Sequence, residues 1–584
     1  MLKICKEVKF REWGLMPVIL IVAIVQVWLD LMIPGFMRQI TVLTQAHIPL
    51  IDDILRLGVL MLLSALGSLI CVFVISFLSS RISASLSKRL RYRLFSKVGD
   101  FSITEFSEFS TSSLIARSTN DITQFQQFTV LALSMMLRIP ILTVGAFAGI
   151  AGMGMAWTVS AVIAFVFVLA VVFCAMAAVM PQFKKMQSLV DKLNLSVREI
   201  LNGRFIIRAF NAEKFHEKRF EAANEGFTNA DRATNRAMAI MSPIMSLGTN
   251  GVIIAVYIIG AIMVGASDQA EALIVFSNLI VMTFYLSLLF TTVKFVTKVV
   301  PRIPRASVSA ARIAEVLDAE LSINDGEQEH LEQNLRGELS FRNVGFKYPG
   351  SRAYALEGIS FSARQGETVA IIGSTGSGKT TLVNLIMRFL DATDGEIIVD
   401  GINIKDYKLE FLYKKLGYVP QKSVLMSGTI GSNIALGDSD GFSLERVAAA
   451  ANIARASSIA QEMESGYEAA VTQRGTNFSG GQKQRISIAR ALYKNPEILV
   501  LDDSFSALDV KTDNELRAAL RSQHSKMTKL IVAQRIDTIR DADQILVLDE
   551  GKMAGIGTHD RLLETCSVYR EIFKSQAIRE ESVS

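Results

Sequence analysis

Apolar residues are unevenly distributed along this chain. Up to about Val300 they gather into six long runs, centred on Gly14–Met37, Ile54–Leu78, Thr129–Met153, Trp157–Met180, Ile240–Val264 and Leu273–Val296. Each approaches or exceeds the roughly 20 residues that cross about 30 Å of hydrocarbon. Six helices of that length exceed what one soluble core holds, so the runs predict membrane spans. From Gly337 the pattern becomes short β-rich runs alternating with helical ones, as in an α/β domain with a mostly parallel sheet. Between the halves, Pro301 and Pro304 punctuate the end of the sixth helix, and a polar stretch runs over Leu317–Arg336. The expected architecture is multidomain. An all-α six-helix transmembrane domain (1–300) is followed by a linker (301–336), an α/β domain (337–576) and a polar tail (577–584).

Charge orients the spans. The connections Thr41–Asp53, Gly154–Ala156 and Ala266–Ala272 carry no Lys or Arg, whereas Arg81–Phe128 and Pro181–Met238 are long and basic. The positive-inside rule therefore places the N-terminus, both long loops and everything after the sixth span in the cytoplasm. Lys3, Lys6, Lys9 and Arg11 ahead of the first run resemble a secretory signal, but the run is too long and no small-residue cleavage site follows before Arg38. Trp13 and Trp157 fall at the interfaces, where amphipathic rings belong. The long loops themselves have helical, mostly polar patterns, so the helices are expected to run well beyond the bilayer in pairs joined by short turns. Asp30 and Arg138 lie inside apolar runs. Such groups contact substrate, form a structural pair, or reach for the interface from a helix end.

Composition excludes some functions. The net charge of +5 is small for 584 residues, and neither half has a basic nucleic-acid face. The four cysteines, at positions 5, 71, 174 and 566, are scattered without CxxC spacing, so no disulfide framework or protein metal centre is expected.

The chemistry begins at Gly373-Ser374-Thr375-Gly376-Ser377-Gly378-Lys379-Thr380, which matches G-x-x-x-x-G-K-[ST]. It follows the apolar run Thr368–Ile372 and opens a helical pattern from Thr381, the strand–loop–helix context this motif needs. Backbone N–H groups of such a loop and the helix N-terminus cradle phosphates. Lys379 would bridge the β- and γ-phosphates of ATP, and Thr380 would hold Mg²⁺. Ile498–Leu501 is an apolar run ending in Asp502, a carboxylate placed for Mg²⁺ directly or through water. Between them lies Phe478-Ser479-Gly480-Gly481-Gln482, locally a Gly turn with Ser capping a helix over Lys483–Leu492.

Together these motifs resemble the ABC ATPases, in which a Ser-Gly-Gly-Gln signature contacts the γ-phosphate held by the opposite subunit. The resemblance makes Tyr348, in Phe346-Lys347-Tyr348-Pro349, the adenine-stacking aromatic. It makes Gln421, in Tyr418-Val419-Pro420-Gln421, a Mg²⁺ and membrane-domain sensor, and Asp509, in Ser506-Ala507-Leu508-Asp509, part of a loop along the dimer seam. It extends to exporters whose six spans and ATPase share one chain. There Ser118–Asp121 and Gly203–Glu213 resemble the two cytoplasmic loops that carry coupling helices. Ser112-Ser113 departs from that pattern, which usually has Gly and an acid, and no role is assigned to it. The implied partners are a second half-transporter, membrane lipid and a lipophilic or amphipathic substrate. ATP and Mg²⁺ are the implied cofactors. The chain carries no protease-like domain ahead of the first span, which disfavours a dedicated peptide exporter.

Two positions depart from the catalytic pattern. Asp503 stands where the family's base is Glu, and Gln534, in Val532-Ala533-Gln534-Arg535, stands where its switch residue is His. Asp is shorter by one methylene, so its carboxylate should fall about 1.5 Å short of a water positioned for Glu. Errors of about 1 Å cost on the order of 100-fold in rate. Gln donates a hydrogen bond but carries no imidazolium charge. The nucleotide-binding residues and the signature are intact. This combination resembles the hydrolysis-degenerate member of heterodimeric exporters, binding ATP but cleaving it slowly while Ser479–Gln482 complete the partner's site. A homodimer using Asp503 as a weak base, and a nucleotide-gated channel or regulatory subunit, remain open at this point.

Overall fold

The computed structural model describes residues 10–44, 51–266, 268–300, 302–329, 336–438 and 443–581. The basic N-terminal residues Lys3, Lys6 and Lys9, Pro301 and the last residues of the tail lie outside them. The chain forms two compact units, Met1–Gly99 with Thr111–Ala319, and Asp100–Ser110 with Glu320–Ser584.

The first unit is helical. Among the described residues, its six helical stretches long and apolar enough to cross a membrane are Leu15–Thr44, Ile51–Gly99, Thr111–Ala151, Met155–Cys174, Pro243–Ala266 and Glu271–Val296. Three helices run far past a bilayer's thickness: Ile51–Gly99 has 49 residues, Met155–Ala209 has 55 and Glu213–Ala266 has 54. At 1.5 Å per residue, the longest spans about 80 Å. The last two are joined by a tight turn in which Asn211 takes a left-handed φ of 50°. Large apolar side chains such as Phe73, Phe77, Ile163 and Phe173 face outward. That would be a liability in water but suits acyl chains. The sixth span sits inside, with Met282, Leu286 and Leu289 fully buried.

The stretch read as the start of a linker is a further helix, Arg302–Asp318. Pro304 lies in its first turn, where no backbone donor is needed, so it opens a helix as well as following one. Ala306, Ala310, Ile313 and Val316 form its buried stripe. A π-helical turn, Arg117–Asp121, packs against it. Arg117 donates to Glu315 at 2.7 Å and to the Arg312 carbonyl at 2.8 Å. Buried Asp121 accepts from Ser309 at 2.9 Å and pairs with Arg312 at 3.2 Å. Ser118–Asp121 thus belong to this packed turn. The short separate helix of the first cytoplasmic loop is Ile103–Glu108, closed by a Ser102–Glu105 capping box.

The second unit is built on three sheets. β1 (Leu339–Phe346), β2 (Leu356–Ala363), β4 (Asp394–Val399) and β5 (Ile402–Asn403) form an antiparallel sheet in the order β2-β1-β4-β5. β3 (Thr368–Gly373), β6 (Leu416–Val419), β9 (Ile498–Asp502), β10 (Thr528–Val532), β11 (Gln544–Asp549) and β12 (Lys552–Gly557) form the central sheet in the order β12-β11-β3-β10-β9-β6. It is parallel except for β12. β7 (Gly428–Thr429) and β8 (Ala470–Val471) make a small pair. The central strands are covered on both faces, so their sequences are continuous apolar runs. Alternate residues feed opposite cores: Ala370, Ile372, Leu499 and Leu501 one, and Val369, Ile371, Ile498 and Val500 the other.

The segment leading into this unit is fastened to it. Gly326 N–H donates to the Tyr407 carbonyl at 3.1 Å, and Gln328 N–H to that of Asp406 at 2.9 Å. Arg388, buried at a φ of 50°, donates to the carbonyls of Asn324 (2.7 Å) and Tyr407 (3.1 Å). Ser322 N–H reaches Glu105 at 2.7 Å, which ties the Ile103–Glu108 helix to the same strip.

Candidate active site

β3, β10 and β9 are neighbours in the parallel sheet, so whatever follows their carboxyl ends converges. The phosphate loop follows β3, Gln534 follows β10, Asp502 ends β9 and Asp503 comes directly after it. They line a cavity of about 510 Å³ with Tyr348, Thr375, Gly376, Gly378, Lys379, Thr380, Thr381 and Gln421. Of the residues singled out in the sequence, Gly373, Ser374 and Ser377 lie within the loop behind this lining. Gly378 shows why the loop needs glycine: its φ is +99°, and a Cβ there would meet Leu356 Cδ2 at 2.6 Å.

Lys379 folds its ammonium back into the loop, donating to the carbonyls of Gly373 at 2.9 Å and Ser374 at 2.6 Å. Burial lowers its pKa, while the Asp503 and Asp502 carboxylates oppose that shift. Asp502 is pushed up to about 6, first by burial and then by Asp503, with Lys379 pulling the other way. Tyr348 packs edge-on against Phe346 with ring centroids 4.9 Å apart, and its hydroxyl lies 3.0 Å from that of Thr381.

Asp503 has a φ of +49°, in the left-handed region that Asp tolerates better than most residues. Its N–H donates to the Val532 carbonyl at 3.0 Å, which locks the turn onto β10. A single carboxylate oxygen, Oδ2, accepts from Gln534 Nε2 at 2.8 Å and from Gln421 Nε2 at 3.1 Å. Two neutral amides thus clamp the one carboxylate.

The cavity also has walls that no sequence motif marks. Tyr354 lines it, held by Asp394 (2.7 Å) and under the Lys347 ammonium (4.0 Å). So do Glu550 and Gly551, the positive-φ turn between β11 and β12. The Asp549-Glu-Gly-Lys552 pattern signals that hairpin but not its place beside the phosphate loop.

Ser479 caps the helix Gly480–Tyr493 through a reciprocal capping box with Gln482 (3.3 and 2.9 Å). A Cβ on Gly481 would lie 3.0 Å from the Ala507 carbonyl. Asp509 caps the next helix, accepting from Thr512 N–H at 2.9 Å. Ser479–Gln482 and Asp509 do not line the cavity.

Residues 356–506 match the family described as ABC transporter, and residues 16–293 match the ABC transporter transmembrane region. An uncharacterized ABC transporter ATP-binding protein of Mycobacterium tuberculosis is 35% identical over 535 residues, 90% of each chain. The chain belongs to the ABC transporter family. An ATP-dependent lipid A-core flippase of Mannheimia succiniciproducens is 30% identical over 542 residues, covering 90% of this chain and 91% of that one. The solved structure of a bacterial Atm1-family ABC exporter with ATP bound superposes with a TM-score of 0.80 at 25% identity, over 97% of this chain and 98% of that one.

As an ABC exporter, the chain is a multi-pass membrane protein with a cytoplasmic transport ATPase that binds ATP. Such exporters work as dimers in lipid. Within its membrane unit, Asp30 and Arg138 are partners at 2.9 Å, and Ser68 donates to Asp30 at 2.6 Å. The two charges are paired, and Arg138 also lines a cavity of about 110 Å³ with Gln26, Ser134 and Thr292.

Proposed function

We propose that this exporter half pairs with a non-identical subunit, holds ATP on its own phosphate loop and cleaves it slowly. Ser479–Gln482 would complete the partner's site, and Asp509 would lie along the seam. The observation that carries this reading is the doubly clamped Asp503 carboxylate. One short side chain, held at Oδ2 by Gln421 and Gln534, is poorly free to take a proton from attacking water. The signature's position away from its own cavity supports its use in trans.

Tyr348 would stack on adenine, residues 373–381 would cradle the phosphates, and Lys379 would release the loop carbonyls to meet them. The hydroxyl of Thr380, the amide oxygen of Gln421 and the carboxylate of Asp502 are hard oxygen donors suited to Mg²⁺, which would neutralise charge between the β- and γ-phosphates. ATP binding would close the dimer, a population shift driven by contacts made only in the closed state, and so turn the membrane cavity outward. The relatedness to lipid A-core flippases supports a lipophilic or amphipathic substrate.

The test is single-turnover cleavage of γ-labelled ATP by the purified full-length chain, with Asp503→Asn and Asp503→Glu variants. Slow cleavage and acceleration by Asp503→Glu are expected. Robust cleavage abolished by Asp503→Asn would overturn the reading in favour of a self-sufficient homodimer. Directional accumulation of substrate in vesicles carrying the full assembly separates a pump from a channel, which cannot build a gradient.

A further inference from the structure

The carboxyl-terminal helix Ser567–Glu581 approaches the residues after β10 from outside the nucleotide cavity. One face carries Tyr569, Ile572, Phe573 and Gln576, the i, i+3, i+4, i+7 spacing of a core-facing stripe. Tyr569 is fully buried, its hydroxyl 2.8 Å from His559 Nδ1. Ile572 packs on the core, and the Phe573 ring sits 5.7 Å from the His559 ring. The helix is therefore anchored two turns before Gln576, at a position where the stripe would ordinarily continue with an apolar residue.

Gln576 instead spends its whole amide on the backbone beside the catalytic residues. Its Nε2 donates to the Gln534 carbonyl at 2.7 Å, and its Oε1 accepts from the Ile536 N–H at 2.9 Å. One side chain thus engages residues i and i+2 as a neighbouring strand would, flanking Arg535. Ile536 begins the helix Ile536–Ile539, and Arg535 provides no side-chain cap, so Gln576 supplies the acceptor for an otherwise orphan N–H. The Gln534 side chain departs from the backbone held in this way, and its Nε2 lies 2.8 Å from Asp503 Oδ2.

We propose that Gln576 is a positioning residue that keeps ATP cleavage slow, fixing the 534–536 backbone so that the Gln534 amide clamps the Asp503 carboxylate. This rests on the roles given above to Asp503 and Gln534. It makes the carboxyl-terminal helix part of the hydrolytic apparatus, although the helix does not line the cavity. An angular error in this backbone is multiplied along the Gln534 side chain, and displacements of about 1 Å at a reacting group matter on the order of 100-fold.

The experiment uses the full-length chain. Single-turnover cleavage of γ-labelled ATP and ATP affinity are measured for Gln576→Leu, Gln576→Glu, Gln534→Ala, the Gln576→Leu/Gln534→Ala double variant and Asp503→Asn, with amide hydrogen exchange over 534–539. Cleavage in Gln576→Leu should rise about tenfold or more, with ATP affinity held within about twofold, and a fall in cleavage would overturn the proposal. The double variant should behave like Gln534→Ala alone, because both act through one amide. Gln576→Glu keeps the acceptor for Ile536 but sets a carboxylate against the Gln534 carbonyl. It should preserve Ile536 protection and still raise cleavage, and it carries the test if Gln576→Leu does not fold. Faster exchange at Ile536 with unchanged cleavage, while Gln534→Ala does alter it, would make Gln576 a fold anchor only and overturn the proposal. If Asp503→Asn and Gln534→Ala are both silent, the underlying assignment of those two residues fails and the proposal falls with it.

Discussion

At Asp503 the backbone and the side chain pull in different directions. The left-handed φ suits Asp, whereas a longer Glu there would meet a steric cost of about 1 kcal/mol. Yet Glu would extend the carboxylate by about 1.5 Å toward the phosphates. Asp503→Glu should therefore raise single-turnover cleavage about tenfold or more while slightly lowering thermal stability, and paired activity and melting measurements check both signs. Asp502 carries a pH prediction. In the proposed site Mg²⁺ would need its carboxylate form, and burial, with Asp503 alongside, has raised its pKa to about 6. Protons should then compete with the metal as pH falls through 6, weakening Mg²⁺-dependent ATP binding by about tenfold per further pH unit. Titration calorimetry between pH 7.5 and 5, with and without Mg²⁺, measures this, and Asp502→Asn should flatten the profile.

These residues were individually visible in the sequence because phosphate chemistry demands a rigid local pattern. The Gln421–Asp503–Gln534 clamp was not, since its members are separated by 82 and 31 residues and meet only through the β10-β9-β6 strand order. Tyr354 and Glu550 escaped for the same reason: each joins the cavity through tertiary placement, with no motif of its own.

Among the elements, the membrane helices were the most legible, because a span must be apolar over a fixed length. Less legible were polar helices whose partners lie far along the chain. Arg302–Asp318 has an alanine-rich stripe of modest hydrophobicity, and its packing depends on Arg117 and Asp121, nearly two hundred residues away. Removing the buried Asp121 carboxylate should leave Arg312 and Ser309 without their shared acceptor. Asp121→Ala is expected to destabilise the membrane unit by about 2 kcal/mol, a figure discounted because Arg312 is partly exposed. Thermal unfolding in detergent reads it, and a melting curve that overlays wild type would show the pair to be dispensable. Asp30 and Arg138 follow the same logic inside the apolar region. The sequence left their role open between substrate contact and pairing, and mutual neutralisation at 2.9 Å is the form in which hydrocarbon tolerates both.

For the molecule as a whole, a change of hydrophobic pattern near Val300 announced two halves, but it did not show how finely the second half gathers its own borders. Glu320–Gln328 carries little hydrophobic signal, yet it is sewn by backbone bonds to Asp406–Lys408 and capped by Arg388. Anyone wishing to express the ATPase by itself meets the consequence directly. A fragment cut at Gly337, where the β pattern starts, would strip the Asn324 carbonyl from a buried guanidinium and leave it only Tyr407 and Asp391. One begun at Glu320 would retain all three. The shorter fragment should melt several degrees lower and aggregate sooner, since a hydrogen bond to a charged group contributes roughly 1.5–3 kcal/mol and the backbone bonds of the strip are lost with it. Scanning calorimetry of the two fragments decides it: equal melting temperatures would mean the strip is ornamental, and unequal ones would move the working boundary of this ATPase upstream by 17 residues.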